Sequence, residues 1–201
     1  MTRAVPLLDS PPIPRPPRCT GAELTDAEIE TLQFHSERGT PATRHAALLA
    51  LLVSGLTSAE TAQTAADDLN LSQATVATEG STYTQPRTCP LSPWAVRVLD
   101  LRTTYLGEHR PRQHRLVTSD SSTRYATQAS VGTGFNEIAR RSGLATATRK
   151  VEPRDITRYV ARQVLLQTGQ ISEVARRLGL SSLDNAAGLA GLAWKTRDGR
   201  R

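Results

Sequence analysis

The longest apolar run of the chain, Ala46–Val53, constrains the fold most strongly, because eight consecutive apolar residues offer water no polar face. Alanine and leucine dominate the run, and both favour helix over strand. A helix that is apolar on all sides is buried on all sides, so we expect a central helix over residues 41–54. The run is far shorter than the roughly 20 residues needed to cross a bilayer, so no membrane span is predicted.

The signals around this run predict a mainly α-helical domain with one small antiparallel β-sheet. Thr25 and Glu28 form a capping box that should begin the first helix. Pro86 and Pro90 limit how much of the second strand can pair, so this strand is expected at an edge of the sheet. We predict helices at residues 26–37, 41–54, 57–66, 93–105, 127–142, 154–168, 171–178 and 183–195, and strands at residues 75–78, 83–91 and 115–118.

Composition divides the chain into a tail and one domain. Six of the 12 prolines fall between Pro6 and Pro17, which predicts a disordered, proline-rich tail over residues 1–21 and an ordered domain over residues 22–201. Two cysteines are too few for a disulfide framework. We interpret His109 and His114 as loop residues, so neither a metal site nor a cofactor is predicted. With no leader-like segment, we expect a cytoplasmic protein.

Basic residues are concentrated in the second part of the sequence. Residues 1–79 contain five arginines and ten acidic residues, net −5, whereas residues 80–201 contain 20 basic and nine acidic residues, net +11. Such an excess is typical of a protein that binds a polyanion, although a basic solvated surface gives the same composition. We therefore predict double-stranded DNA as the partner and no small-molecule substrate.

Six short motifs follow one another in a distinctive order. They comprise the start of the central helix, the turn and helix start after it, an acidic turn, the end of the predicted hairpin, and two motifs near the C-terminus. The motifs are Arg44-His45-Ala46-Ala47-Leu48-Leu49, Gly55-Leu56-Thr57-Ser58-Ala59-Glu60, Asp68-Leu69-Asn70-Leu71, Arg87-Thr88-Cys89-Pro90-Leu91-Ser92, Pro153-Arg154-Asp155-Ile156-Thr157-Arg158-Tyr159 and Leu178-Gly179-Leu180-Ser181-Ser182-Leu183-Asp184.

In this order and spacing, the motifs resemble the catalytic domain of the tyrosine recombinases, the phage-integrase family, over residues 22–201. The resemblance implies the fold of that domain and DNA as its partner. It also implies a reaction in which a tyrosine attacks a DNA phosphodiester. In that reaction two arginines, a lysine and two histidine-type groups stabilise the charge on the phosphate and transfer protons.

Other residues occupy most of the positions at which the resemblance implies these groups. A shifted alignment does not restore them, because the chain has no tyrosine after residue 159, no histidine after residue 114 and no lysine before residue 150. Only Arg158, one residue beyond its expected position, could replace a missing arginine. We therefore predict a catalytically inactive relative, a pseudoenzyme of the strand-exchange type. The family positions are occupied by Thr57, Arg154, Thr157, Leu180 and Leu189.

A stripe of arginines on the helix from residue 154 is the predicted DNA contact. Its members recur every four residues, opposite an apolar stripe of Ile156, Val160 and Val164. Basic residues upstream would join it if the helices pack as the resemblance implies. Phosphate contacts of this kind give affinity without sequence preference. The predicted DNA-binding residues are Arg140, Arg141, Arg149, Lys150, Arg154, Arg158 and Arg162.

Several alternatives remain open. Residues 172–182 could instead form a helix-turn-helix of a transcriptional regulator, and a helix continuing through Thr75 and Val76 would favour that architecture. Residual recombinase activity could use Tyr159, which we interpret as a core-edge aromatic residue. A basic module that does not bind DNA is a further alternative. The last helix could pack on its own domain or on a second protomer as a homodimer. We favour a DNA-binding regulator or accessory factor of a mobile element, plasmid or phage.

Overall fold

The structure, a computed structural model, describes residues 23–38 and 42–192. It is mainly helical with a three-stranded antiparallel sheet, which confirms the predicted fold class. The predicted tail and residues 193–195 of the predicted last helix, with Trp194, lie outside the described residues. That helix ends at Leu189, six residues earlier than predicted, and Gly191 follows with φ +81°. The helices are α1 (Asp26–Ser36), α2 (Ala42–Val53), α3 (Ser58–Gln63), α4 (Pro93–His109), α5 (Arg124–Arg141), α6 (Pro153–Thr168), α7 (Ile171–Leu178) and α8 (Leu183–Leu189), and the strands are β1 (Leu69–Asn70), β2 (Thr75–Thr78) and β3 (Arg87–Pro90).

Helix α2 lies at the centre of the domain, as its apolar run predicts. Residues 46–52 are at most 3% exposed, and α1, α4, α5 and α6 pack around them. His45 at the start of the run is also buried, with Nε2 3.4 Å from Oε2 of Glu137. Burial lowers the pKa of His45, because the charged imidazolium would lose its hydration. The centre of the fold is therefore apolar and carries a neutral histidine at its edge.

The predicted hairpin forms, but its second strand is shorter than predicted. Strands β2 and β3 pair from Thr75 with Pro90 to Thr78 with Arg87, so β3 begins only after Pro86, which has no N–H to donate. The sheet order β1-β2-β3 places β3 at an edge, as predicted. A strand at residues 75–78, rather than a continuing helix, favours the recombinase-like architecture over the helix-turn-helix regulator.

The third predicted strand, residues 115–118, is wrong. Leu116 N donates to the Thr64 carbonyl and Ala66 N donates to the His114 carbonyl, so this segment pairs with the connection after α3 instead of the sheet. The third strand is β1, a two-residue segment whose length gives no periodic signal. Leu116 and Val117 are buried in the core, and a short buried apolar segment has the same sequence pattern whether or not it joins a sheet.

Most predicted helix boundaries agree with the structure within three residues. Helix α4 extends four residues further than predicted and includes His109, so the interpretation of His109 as a loop residue is wrong. Its ring stacks on Tyr105 one turn earlier, with 4.5 Å between the ring centroids, and this contact lies within the added turn. In the described ranges no helix is both long enough and apolar enough to cross a membrane.

Candidate functional site

One cavity brings together the five positions at which the resemblance implies catalytic groups. It has a volume of about 630 Å³, and Thr57, Arg154, Thr157, Leu180 and Leu189 all line it. Residues separated by up to 132 positions in the sequence therefore meet at one site. We call this site the α3–α6–α8 cavity, after the helices that carry or adjoin most of its wall.

Local structure explains how each of these positions reaches the cavity. Thr57 is the N-cap of α3, and Arg154 and Thr157 lie on the first turn and a half of α6. Leu180 follows the left-handed residue Gly179 that ends α7, and Leu189 ends α8. The start of α3, the start of α6, the turn after α7 and the end of α8 therefore each contribute to the wall of the cavity.

The charged groups at the cavity are two arginines and one aspartate. Arg154 is exposed and forms no ion pair with another described residue. Arg158 donates from Nη1 to Oδ1 of the buried Asp155 at 2.7 Å, and Asp155 also accepts from the backbone N–H of Glu152 at the start of α6. Asp184 lines the opposite part of the wall. Arg154 is therefore the guanidinium best placed to meet an anion that enters the cavity.

The loop between β2 and β3 forms a further wall of the cavity. Ser81, Tyr83 and Thr84 line it, and Tyr83 projects into solvent with 87% of its surface exposed. The loop is fixed to the end of α7 by a hydrogen bond of 2.8 Å from Gln85 N to the carbonyl of Gly179. Hydroxyl groups and one phenol therefore occupy the side on which the resemblance implies a lysine.

Beneath this wall lies a buried ion pair that the sequence analysis did not identify. Nη1 of Arg87 lies 2.6 Å from Oε1 of Glu60, and both side chains are at most 6% exposed. Glu60 also accepts hydrogen bonds from the Thr57 backbone N–H and from the Thr84 hydroxyl. These contacts and the hydrogen bonds of Arg87 hold the pKa of Glu60 below its usual range despite burial.

Arg87 also donates hydrogen bonds to three backbone carbonyls. Its Nε donates to Arg177, its Nη2 donates to Gly55 and its Nη1 donates to Gln85. Two motifs of the sequence contain the members of this ion pair: Glu60 ends the second motif, and Arg87 begins the motif at the end of the hairpin. The Glu60–Arg87 pair is structural, because Arg87 on β3 connects α3 with the end of α7.

The seven basic residues predicted to bind DNA differ in their surroundings. Arg154 and Arg158 line the α3–α6–α8 cavity, and Arg158 also lines a neighbouring recess together with Arg162. Arg140 is exposed near the end of α5 and forms no ion pair within the described ranges. The role of these residues in DNA binding stays a prediction.

Three of these basic residues contact the segment around α1. Arg149 Nη1 lies 2.5 Å from Oε1 of Glu28, and Arg162 Nη2 donates to the carbonyl of Leu24 at 2.6 Å. Arg141 pairs with Glu137 and donates to the carbonyl of Arg38, and Lys150 lies 2.5 Å from a carboxylate oxygen of Glu152. These charges are directed at neighbouring acids and carbonyls of the same chain.

Tyr159 lies outside the α3–α6–α8 cavity. Its hydroxyl donates to Oδ1 of Asp26 at 2.9 Å, and burial together with this carboxylate raises the pKa of Tyr159 to about 12. Both effects disfavour the phenolate that a nucleophile needs. The tyrosine that does line the cavity is Tyr83, which sequence analysis did not single out.

In the described part of the chain, no group of three or more histidine, cysteine or acidic residues could hold a metal ion.

The comparisons with known proteins agree on the fold. XerA recombinase superposes with a TM-score of 0.72 at 18% identity, covering 86% of this chain and 61% of that one. XerH site-specific recombinase bound to palindromic difH substrate gives a TM-score of 0.68 at 17% identity, covering 87% and 50%. The chain has the fold of a tyrosine-recombinase catalytic domain. A lambda integrase dimer bound to a COC′ core site gives a TM-score of 0.63 at 17% identity, covering 90% and 51%.

The likeness to these tyrosine recombinases is structural. No family model matches the sequence, and no curated protein matches it either. The chain spans about half to three fifths of the length of the recombinases named above. In this fold, the motifs that suggested the domain surround one cavity. All five positions inferred from the motifs line that cavity.

Proposed function

We propose that the chain binds double-stranded DNA across the α3–α6–α8 cavity without cleaving it, as a regulator or accessory factor of a mobile element, plasmid or phage. One observation carries the proposal. The five family positions meet in a single cavity, and of the residues at those positions only Arg154 is charged. A site with this shape and a retained guanidinium can hold a phosphate, because arginine binds phosphate oxygens with two parallel hydrogen bonds.

Charge supports DNA as the ligand. The second part of the sequence, residues 80–201, is net +11, and it contributes α6, α8 and the hairpin loop to the cavity. XerH bound to its difH substrate and lambda integrase bound to a COC′ core site have the same fold. A basic chain with an open arginine at a concave site gains affinity for DNA by releasing counterions from the phosphates.

The chemistry of the cavity supports the absence of cleavage. Strand cleavage needs a nucleophile, an acid for the leaving oxygen and several cations around the phosphate. Among the described lining residues, neither lysine nor histidine is present, and the nucleophile position holds Leu189. Loss of single members of a catalytic group already costs orders of magnitude in rate, so the loss of several is expected to abolish the reaction.

Replacing Arg154 with glutamine should weaken DNA binding about tenfold at low salt and reduce the salt slope of log K by about one, because one phosphate contact is lost. The measurement is fluorescence anisotropy with a duplex oligonucleotide over a range of salt concentrations. Arg97→Gln is the matched control, since Arg97 also loses one positive charge but pairs with Glu37 on α1, away from the cavity. Equal weakening in both variants would mean that net charge, not the cavity, binds DNA. If the unmodified protein and both variants all fail to bind DNA, the alternative of a basic module that does not bind DNA is favoured.

Incubation with nicked suicide DNA substrates should give no covalent protein–DNA adduct. The leaving strand of such substrates diffuses away, so even slow cleavage accumulates as a shifted band on denaturing gels. A known active tyrosine recombinase with its own site is the positive control. An adduct would contradict the proposal, and its loss in Tyr83→Phe or in Tyr159→Phe would identify which tyrosine forms it.

A further inference from the structure

A second cavity, separate from the α3–α6–α8 cavity, is lined by three arginines. It has a volume of about 290 Å³ and lies between α4, α5, the start of α2 and the loop that follows α4. Arg44, Arg102 and Arg110 line it, and no carboxylate is among its described lining residues. We call it the arginine cavity. Three guanidinium groups in one concave space create a strongly positive local potential.

The arginines are held in place by neutral oxygen atoms. Arg102 is only 3% exposed and donates from Nε to the carbonyl of Leu116 at 2.6 Å. Arg44 donates to the carbonyl of Val117 at 2.8 Å and to the hydroxyl of Ser130 at 2.6 Å. These carbonyl and hydroxyl partners carry no net charge. A carbonyl or hydroxyl partner leaves the remaining attraction available to an anion.

The electrostatics agree with this geometry. The pKa of Arg102 is lowered to about 10, first by burial and then by the positive charges of Arg44 and Arg110. Arg102 therefore stays charged at neutral pH, and its neighbours repel it. Burying like charges together is unfavourable unless an anion offsets them. A bound anion would remove that repulsion.

The rest of the wall supplies neutral hydrogen-bond donors. Ser119 and Ser122 contribute hydroxyl groups, whereas the Gln113 amide nitrogen already donates to the carbonyls of Arg115 and Thr118. Hydroxyl groups and arginines together are the usual ligands of phosphate oxygens. At roughly 30 Å³ for each water molecule, the cavity has the volume of about ten waters, which is enough for a phosphate group.

We propose that the arginine cavity is a binding site for a phosphate-type anion, either the phosphate of a nucleotide or free inorganic phosphate, or a backbone phosphate of DNA. The site does not depend on DNA binding at the α3–α6–α8 cavity. It is formed by different residues and could be occupied with or without DNA in that cavity.

The test is calorimetric titration of the full chain with inorganic phosphate at constant ionic strength and pH 7.5. We expect a saturable site in the unmodified protein and at least tenfold weaker binding in Arg110→Gln. Arg110 is exposed at the end of α4 and contacts Gln113, so this change should leave the fold intact. Arg97→Gln is the matched control and should bind phosphate normally, because Arg97 is an exposed arginine that lines neither cavity. Ser130→Ala removes one hydrogen-bond partner of Arg44 and should also weaken phosphate binding.

The source of the phosphate is distinguished by two further arms. Tighter binding of a nucleoside 5′-monophosphate than of inorganic phosphate indicates a nucleotide, whereas competition between duplex DNA and phosphate in Arg154→Gln indicates a DNA backbone phosphate. A weak phosphate site has a Kd of about 1 mM. If the folded protein shows no saturable binding at phosphate concentrations up to about 20 mM, 20-fold above that Kd, the proposal is wrong. It is equally wrong if Arg110→Gln and Arg97→Gln bind phosphate alike. Neither result bears on DNA retention, so failure here is distinguishable from failure of the proposed function.

Discussion

Replacing Glu60 with glutamine should lower the free energy of unfolding by about 3–5 kcal/mol, the cost of leaving one member of a buried ion pair without its partner. The side chain of Glu60 is fully buried and that of Arg87 is 6% exposed, so water cannot replace the lost charge. The hydrogen bonds from Thr57 and Thr84 to the carboxylate would also be weakened. Urea denaturation at pH 7, followed by circular dichroism, measures the change.

Glu173→Gln is the matched control for this prediction. Glu173 pairs with Arg176 at 2.6 Å, but Arg176 is 71% exposed and the pair lies on the surface of α7. Exposed pairs of this kind contribute from zero to about 1 kcal/mol. Similar losses in the two variants would show that Glu60 does not act through its buried charge.

The pH dependence gives the same prediction an independent readout. The folded protein holds the pKa of Glu60 below its ordinary value of 4.5, so ionised Glu60 stabilises the fold above pH 4.5. That contribution is lost as the pH falls through the lowered pKa of the folded state. The difference in stability between the unmodified protein and Glu60→Gln should therefore be largest near neutral pH and shrink in acid. A difference that stays constant down to pH 3 would contradict this account.

The elements of the fold that sequence reasoning predicted well are those with strong local signals. The Thr25–Glu28 capping box begins α1 as predicted, and the apolar run of α2 is buried as predicted. Sequence analysis did not predict strand β1 or the pairing of Arg115 with Ala65, because both depend on contacts between separate segments of the chain. Two-residue pairings have no period to detect, and tertiary contacts decide whether an apolar segment becomes a strand.

The candidate site shows the same difference between what the order of motifs predicts and what depends on contacts between distant segments. Motif order correctly named five positions that meet in one cavity. The partners of Arg149 and Arg162 could not be predicted, because they depend on how the α1 segment crosses α5 and α6. Arg87 was missed for a similar reason. Its inward direction follows from the register that pairs it with Thr78 and from the position of α3, neither of which the hairpin sequence specifies.

Replacing Gly179 with alanine should lower the free energy of unfolding by at least about 2 kcal/mol. Gly179 ends α7 with φ +66°, and this left-handed conformation costs an alanine about 1–2 kcal/mol. A Cβ atom there would also lie 2.8 Å from the backbone oxygen of Gln85 and 2.6 Å from Nη1 of Arg87. The hairpin loop would have to move, which disturbs both the Gln85–Gly179 hydrogen bond and the Glu60–Arg87 pair.

Gly107→Ala separates this effect from the general response of glycines to substitution. Gly107 lies within α4, and nothing lies within 4 Å of a Cβ atom placed there. Alanine at an open helical position stabilises by about 0.5–1 kcal/mol, so the two variants should shift the urea midpoint in opposite directions. DNA binding should weaken in Gly179→Ala beyond the loss of stability, because the displaced loop carries Ser81, Tyr83 and Thr84 of the cavity wall. A Gly179→Ala variant as stable as the unmodified protein would mean that α7 and the hairpin can separate, and the bracing of the cavity by Arg87 would then be wrong.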